Sequence, residues 1–589
     1  MSGQGQAALS DFTTDRRVLV LSLMAVAVGV IGALVAVALV WLIGVITNLS
    51  YYQRLSSSFA SPAGNQLGAW SILVPVAGGL VIGLMARFGS EKIRGHGIPE
   101  ALEAILIGRS RLDAKVAVLK PVSSAISIGT GGPFGAEGPI IMTGGAFGSL
   151  FAQFFHLSSA ERKTLLVAGA AAGMSAIFAT PMAAVLLAVE LLLFEWKPRS
   201  FIPVCVAAIV AGALRVPLLG AGPIFPVTPH AAVPAAELAI ALGVGLTAGL
   251  ASGLLTTLVY GFEDLFQKLP IHWMWWPAIG GLCVGIGGLI DPRVLGVGYD
   301  TIHSLVGGKL FGVAVISLLI GKALVWSIAL GSGTSGGVLA PLLIMGGALG
   351  ALESPAIPMG DSGLWAMVGM AAMMGGTMRS PLTAIVFTLE LTHDWNLLPA
   401  VLVGSVAAHA VTVLLLKRSI LTEKIARRGH HLVREYSVDP FEIHRIEEVM
   451  DRNVPTIPAS LTVAELSRRI ASGDPALTRR QGTPILDSDG NLAGIITRSD
   501  LMKAMERTDE NERRTVLEAG SRRLVVAFPD ELLRAAVSRM LENDIGRLLV
   551  VDRDNPRKLV GYLGRSGVMA ARVRMFEEEH VRERGTGSR

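Results

Sequence analysis

Gly135-Ala-Glu-Gly-Pro139, followed by Gly144-Gly-Ala-Phe-Gly148, recurs later in the chain as Gly337-Val-Leu-Ala-Pro341 and Gly346-Gly-Ala-Leu-Gly350. Gly129-Thr-Gly131 precedes the first copy and Gly331-Ser-Gly333 the second, at the same spacing. Two more pairs keep step. Gly95-His-Gly97 is matched by Gly296-Val-Gly298, and Phe178-Ala-Thr-Pro181 through Glu190 by Met378-Arg-Ser-Pro381 through Glu390. Segments in one order at nearly constant offset imply a duplicated unit. Glu190 and Glu390 occur in both copies, which suits a structural role.

The surroundings of these motifs are apolar. Of 589 residues, 51% are hydrophobic and only 16% charged, against about a quarter charged in soluble domains. The 68 glycines suit helices packed closely in lipid. A net charge of +5 on this length gives no case for a nucleic-acid partner. Cys205 and Cys283 lie in apolar runs and form neither a disulfide framework nor a metal motif. The run from Val18 to Ile46 is too long for a signal-peptide core and reads as a retained membrane helix. Ile72–Met85, Leu238–Leu254 and Val313–Leu330 read as further spans, whereas many other apolar segments are broken by Gly and Pro. Broken helices persist at membrane depth only where they are buried in protein or line a cavity.

In Gly95-His-Gly-Ile-Pro99, Gly135–Pro139 and Gly337–Pro341, glycine allows a tight turn and proline suits the first turn of a helix. Each motif therefore predicts a loop feeding a helix N-terminus, with bare N–H donors and partial positive charge. Several such termini converging at mid-membrane make an anion site without a fixed cation, and weak binding of that kind permits release. Gly-rich helix packing is the alternative for any one motif taken alone. An ionisable group at membrane depth, Glu137 above all, is a functional candidate by its cost.

Taken together, these motifs resemble the CLC chloride channels and proton-coupled chloride antiporters over nearly the whole chain. The resemblance implies an all-α polytopic membrane protein with two inverted repeats, about 18 helices, and substrate held between the repeats. It further implies a homodimer in the lipid bilayer, multi-pass in the cell membrane, with both termini cytoplasmic. Chloride or a related small anion and protons would be the partners, and no enzymatic activity is expected. Glu137 matches the family's gating glutamate, which also carries the proton in antiporters. The anion would be held by His96, Gly97, Ile98, Glu137, Gly138, Val338, Leu339 and Leu421. Lys120 matches a basic residue that biases the pathway toward anions, with a lipid-facing lysine as the alternative.

The departures from the family pattern bear on selectivity and coupling. His96 replaces a serine whose hydroxyl contacts the anion, and Leu421 replaces a tyrosine donor. Ala136 and Leu339 replace a basic residue and a phenylalanine. Two readings of His96 stand: an N–H donor that titrates near neutral pH, or a ring packed aside while the Val338 and Leu339 N–H groups bind. Leu191 occupies the position of an inner glutamate that delivers protons in many antiporters. Glu195, one helical turn on, is the candidate substitute, and a solvated helix end is the alternative. Antiporter and passive voltage- or pH-gated channel share one architecture, and a transporter of nitrate, fluoride or bicarbonate is a third reading.

Beyond about Leu421 the charge rises, and the chain reads as soluble α/β structure with its own tandem repeat. Helix, strand, turn and strand over Val463–Thr497 recur over Glu531–Leu563. This tail resembles a pair of cystathionine-β-synthase (CBS) domains. The expected organisation is an N-terminal tail (1–15), a membrane domain (16–428), a linker (429–447), CBS domains at 448–508 and 517–575, and a C-terminal tail (576–589). No cofactor is required on this reading. The family pattern places Thr497 and Asp500 on the phosphate and ribose of an adenine nucleotide, whereas Gly564 and Gly567 have replaced their counterparts in the second copy. A purely structural dimerisation module is the alternative. Among other classes, a His-Glu-x-x-His metalloprotease and a phosphate-loop ATPase lack their motifs, and a divalent-cation carrier lacks acidic clusters in its helices.

Overall fold

The computed structural model describes residues 16–106, 108, 110–429, 441, 444–478, 480–506 and 513–571. They form two compact units, divided near residue 430.

The first unit is helical. Its first half runs α1 (Arg17–Tyr52), α2 (Leu73–Phe88), α3 (Ile98–Leu106), α4 (Ala114–Gly129), α5 (Glu137–Gln153), α6 (Ser159–Phe178), α7 (Pro181–Leu187) and α8 (Pro198–Leu219). The second half repeats the order as α9 (Ala235–Gln267), α10 (Trp276–Ile290), α11 (Tyr299–Val306), α12 (Val313–Gly331), α13 (Leu339–Glu353), α14 (Ser362–Met378), α15 (Pro381–Thr392) and α16 (Leu398–Leu415), and α17 (Ile420–Arg427) closes the unit. The packing repeats as well. α6 lies against α1, α5 and α8, and α14 lies against α9, α13 and α16. Among the described residues, eight helical segments are long and apolar enough to cross a membrane.

The sequence explains the breaks. α6 and α14 both end on a left-handed residue, Ala179 (φ 56°) and Arg379 (φ 57°). Pro181 and Pro381 then open α7 and α15, where a missing N–H costs nothing. The halves differ just beyond. α15 continues as an α-helix, whereas α7 passes into a π-helical segment, Ala188–Leu193, that ends on left-handed Phe194. Glu195 is therefore not one helical turn beyond Leu191 on a continuing helix, as the sequence spacing suggested. It lies in the short connection to α8.

The second unit holds two three-stranded sheets of identical topology. β1 (Ile457–Pro458) runs parallel to β2 (Gly482–Leu486), which is antiparallel to β3 (Leu492–Thr497). β4 (Val526–Ala527), β5 (Arg547–Val551) and β6 (Leu559–Gly564) repeat the pattern. α18 (Ile446–Val449) opens the first repeat yet packs in the second repeat's core, where Ile446 meets Leu533, Leu548 and Leu563. The short helix Val516–Ala519 opens the second repeat and places Val516 with Ile457, Val463 and Ile485 of the first. Each repeat thus completes the other's core.

Candidate functional site

The glycine-rich loops of the two halves meet in the first unit. The Gly337 N–H donates to the Gly135 carbonyl at 2.9 Å, and the Gly296 N–H to the Gly131 carbonyl at 2.9 Å. Gly95 pairs with Ser335, whose hydroxyl lies 2.8 Å from that of Ser124. Gly97 holds φ +87°, and a Cβ there would stand 3.1 Å from the Gly138 carbonyl oxygen. A Cβ on Gly138 would collide with the His96 carbonyl and stand 3.1 Å from the Gly337 Cα. Only glycine allows three loops to close this tightly. Gly97, Gly138, His96 and the start of α13 are thus brought together, as the motifs predict.

Glu137 is the first residue of α5 and is fully buried. Its Oε1 accepts the Ala340 N–H at 2.8 Å, in the first turn of α13, while Oε2 has no hydrogen-bond partner. The carboxylate occupies the bare N–H end of a helix from the other repeat, where an external anion would find the same donors. Val338 and Leu339 at that end are fully buried, as is Ile98. Lys322 on α12 interacts electrostatically with Glu137. No motif in the sequence marks Lys322, which falls inside the apolar span Val313–Leu330.

His96 is 3% exposed, and neither ring nitrogen has a hydrogen-bond partner. It lines a cavity of about 550 Å³ together with Arg94, Tyr260, Ile420 and Lys424. Leu421, on α17, is fully buried. A tyrosine hydroxyl does reach the start of α17, but from elsewhere: Tyr260 of α9 donates to the Ile420 carbonyl at 2.5 Å. No local sequence signal links Tyr260 to α17, because that contact spans 160 residues.

Lys120 is fully buried and donates to the carbonyls of Ile93 and Gly95 at 2.8 and 2.6 Å. It does not face lipid. Glu195 is 7% exposed, with the ammonium groups of Lys163 and Lys197 at 3.3 and 3.2 Å, Arg199 at 3.9 Å and the Ser200 hydroxyl at 2.9 Å. Burial pushes its pKa up, but these partners outweigh burial and hold the carboxyl below its usual range. It is neither a solvated helix end nor part of the cluster around Glu137.

In the second unit, Thr497 and Asp500 cap the helix Arg498–Met505 reciprocally. The Asp500 N–H donates to the Thr497 hydroxyl oxygen at 3.1 Å, and the Thr497 N–H and hydroxyl donate to the Asp500 carboxylate at 2.9 and 2.7 Å.

Known proteins resemble both units of the chain. The profile described as "Voltage gated chloride channel" matches residues 77–413, and that of the CBS domain matches residues 446–507 and 517–574. The chain is 29% identical over 435 residues to an H(+)/Cl(-) exchange transporter ClcA of Salmonella arizonae, covering 70% of this chain and 89% of that protein. A ClcA of Klebsiella pneumoniae is 29% identical over 428 residues, covering 69% and 88%. Among solved structures, a slow cyanobacterial Cl-/H+ antiporter superposes with a TM-score of 0.63 at 23% identity, covering 70% of this chain and 98% of that one. A eukaryotic CLC transporter superposes with a TM-score of 0.61 at 21% identity, covering 93% and 98%.

Proposed function

The chain belongs to the voltage gated chloride channel family, and from that premise we propose that it exchanges chloride, or a related small anion, for protons with Glu137 as the gate. Family membership makes it a multi-pass membrane protein of anion transport rather than an enzyme, with a CBS pair following the membrane unit in the sequence. The observation that carries the finer reading is the placement of Glu137. One carboxylate oxygen takes the Ala340 N–H at the start of α13, and the other has no partner.

A carboxylate held there competes with a permeant anion for the same donors. Protonation removes its charge and the advantage of the helix end, so the side chain yields the site to an anion and carries the proton with it. The relatives' activity, exchange of H(+) for Cl(-), supports this reading. Proton delivery from the other side does not run through Leu191, which is buried and apolar. Glu195, held among three cations, is a poor carrier. A homodimer with cytoplasmic termini, and an adenine nucleotide on the CBS pair, complete the proposal. Cross-linking in membranes and nucleotide titration of the full chain test those two parts.

The gate is tested by anion efflux from liposomes holding the purified protein. Wild-type flux should change with pH, and Glu137→Gln should carry anions with that dependence lost. Equal pH dependence in both would remove Glu137 from the gate.

A further inference from the structure

Tyr299 opens α11 beside the buried carboxylate of Glu137. Gly298 before it holds φ +77°, and a Cβ on Gly298 would stand 3.8 Å from the Lys322 Nζ. Lys322 donates to the carbonyls of Val294 and Gly296 and interacts with Glu137. Tyr299 also interacts electrostatically with Glu137, and among the described residues no hydrogen bond holds its hydroxyl. A phenol with donor and acceptor unspent thus stands near a carboxylate whose Oε2 has no partner. The titratable groups acting on Glu137 are Lys322 of α12 and Tyr299 of α11, and Arg215 of α8 acts on Tyr299 in turn.

The Tyr299 ring is clamped from two sides. Phe59 stacks on it with ring centres 5.7 Å apart, and Phe225 meets it edge-on at 5.6 Å. Phe225 is 2% exposed and belongs to the loop between α8 and α9. That loop leaves α8 through Gly220 and Gly222, at φ 101° and 89°. It then hangs on the end of α15, where the Phe225 N–H donates to the Leu391 carbonyl at 2.9 Å. Further on, the His230 N–H donates to Asp394 Oδ2 at 3.1 Å, and the Asn396 amide donates to the His230 carbonyl at 2.7 Å. A segment with neither helix nor strand is thus tied down on the next element, with Phe225 driven against Tyr299.

Resting on the reading of Glu137 as the gate, we propose that Tyr299 is a positioning residue for it, and that the α8–α9 loop is the strap that holds Tyr299 there through Phe225. At the start of α13 the carboxylate takes N–H donors and needs its charge. Once protonated and released it needs a neutral partner, and a phenol hydroxyl can both donate to a carboxylic acid and accept from it. Tyr299 therefore favours the protonated, open gate, whereas Lys322 favours the charged, closed one.

The test is the pH profile of anion efflux from liposomes holding the full-length protein. Tyr299→Phe removes the hydroxyl and keeps the ring packing. It should move the midpoint to lower pH by about one unit, the worth of one hydrogen bond. Phe225→Ala should move it the same way, and Phe225→Leu, which keeps an apolar contact, by less. Phe225→Leu carries the strap's part of the test if Phe225→Ala is not monodisperse. A midpoint unchanged or raised in Tyr299→Phe overturns the positioning role, and an unchanged midpoint in the Phe225 variants overturns the strap. Failure of the gate reading looks different: Glu137→Gln would then keep the wild-type profile.

Discussion

Glu190 and Glu390 each cap the start of the helical segment that carries the other. Glu390 accepts the N–H groups of Met182 and Ala183 at 3.1 and 2.8 Å, and Glu190 accepts those of Leu382 and Thr383 at 3.1 and 2.7 Å. Both glutamates therefore sit on the N-termini of helices opened by Pro181 and Pro381, in the opposite repeat. The exchange ties the two halves together beside the pathway and explains why both copies of the motif end in Glu.

Removing either cap leaves two N–H donors at a helix start without acceptors. Glu390→Ala should destabilise the detergent-solubilised protein by about 1–3 kcal/mol, and Glu390→Gln by less, since an amide oxygen still accepts. Glu190→Ala should behave alike, because Glu190 makes the same contact. Thermal unfolding followed by size-exclusion chromatography reads both. A stable Glu390→Ala with altered proton coupling would instead give this residue a transport role.

Lys120 and Lys322 form a second matched pair. Lys120 donates to Ile93 and Gly95 carbonyls, and Lys322 to those of Val294 and Gly296 at 2.9 and 3.2 Å. Each ammonium pins the loop entering α3 or α11. Lys→Met at either position should cost about 1–3 kcal/mol through orphaned carbonyls. Their functional effects should differ, because Lys120 interacts with Glu100 and Lys322 with Glu137. Lys322→Met should shift the pH dependence of flux, and Lys120→Met should not. Identical pH profiles for the two variants would contradict this assignment.

Outside the membrane helices, His230 lies between two carboxylates. Its Nδ1 is 2.5 Å from Asp394 Oδ2, and its Nε2 is 3.2 Å from Asp361 Oδ2. Burial pushes the imidazole pKa down, but the two carboxylates outweigh burial and hold it above its ordinary 6.5. A folded-state pKa raised in this way contributes stability that is complete below the unfolded value and lost as pH rises through the folded one. Wild-type melting temperature should therefore fall between about pH 6 and pH 9 by more than that of His230→Gln. Parallel curves would show that the bridge contributes nothing.

Much of this was legible in the chain. The glycines and prolines of the three motifs announced tight turns into helix N-termini, and Glu137 stood out as an ionisable group at membrane depth. What escaped depends on contacts remote in sequence. The neighbours of Glu137 at α13 and α12, the Tyr260 hydroxyl on α17 and the exchanged caps of Glu190 and Glu390 all join residues from different repeats or distant helices. Glu195 was misplaced because the sequence of α7 matches that of α15 closely, yet its backbone widens into a π turn and stops. The exchange of opening helices between the CBS repeats was likewise invisible, since α18 fits either core by composition.

The most direct test is proton movement driven by chloride. Purified wild-type protein in liposomes, given a chloride gradient at clamped voltage, should move protons uphill while chloride runs down. Glu137→Gln should retain anion flux and move no protons. Chloride flux in the wild type with no proton movement would contradict the account and leave a passive channel.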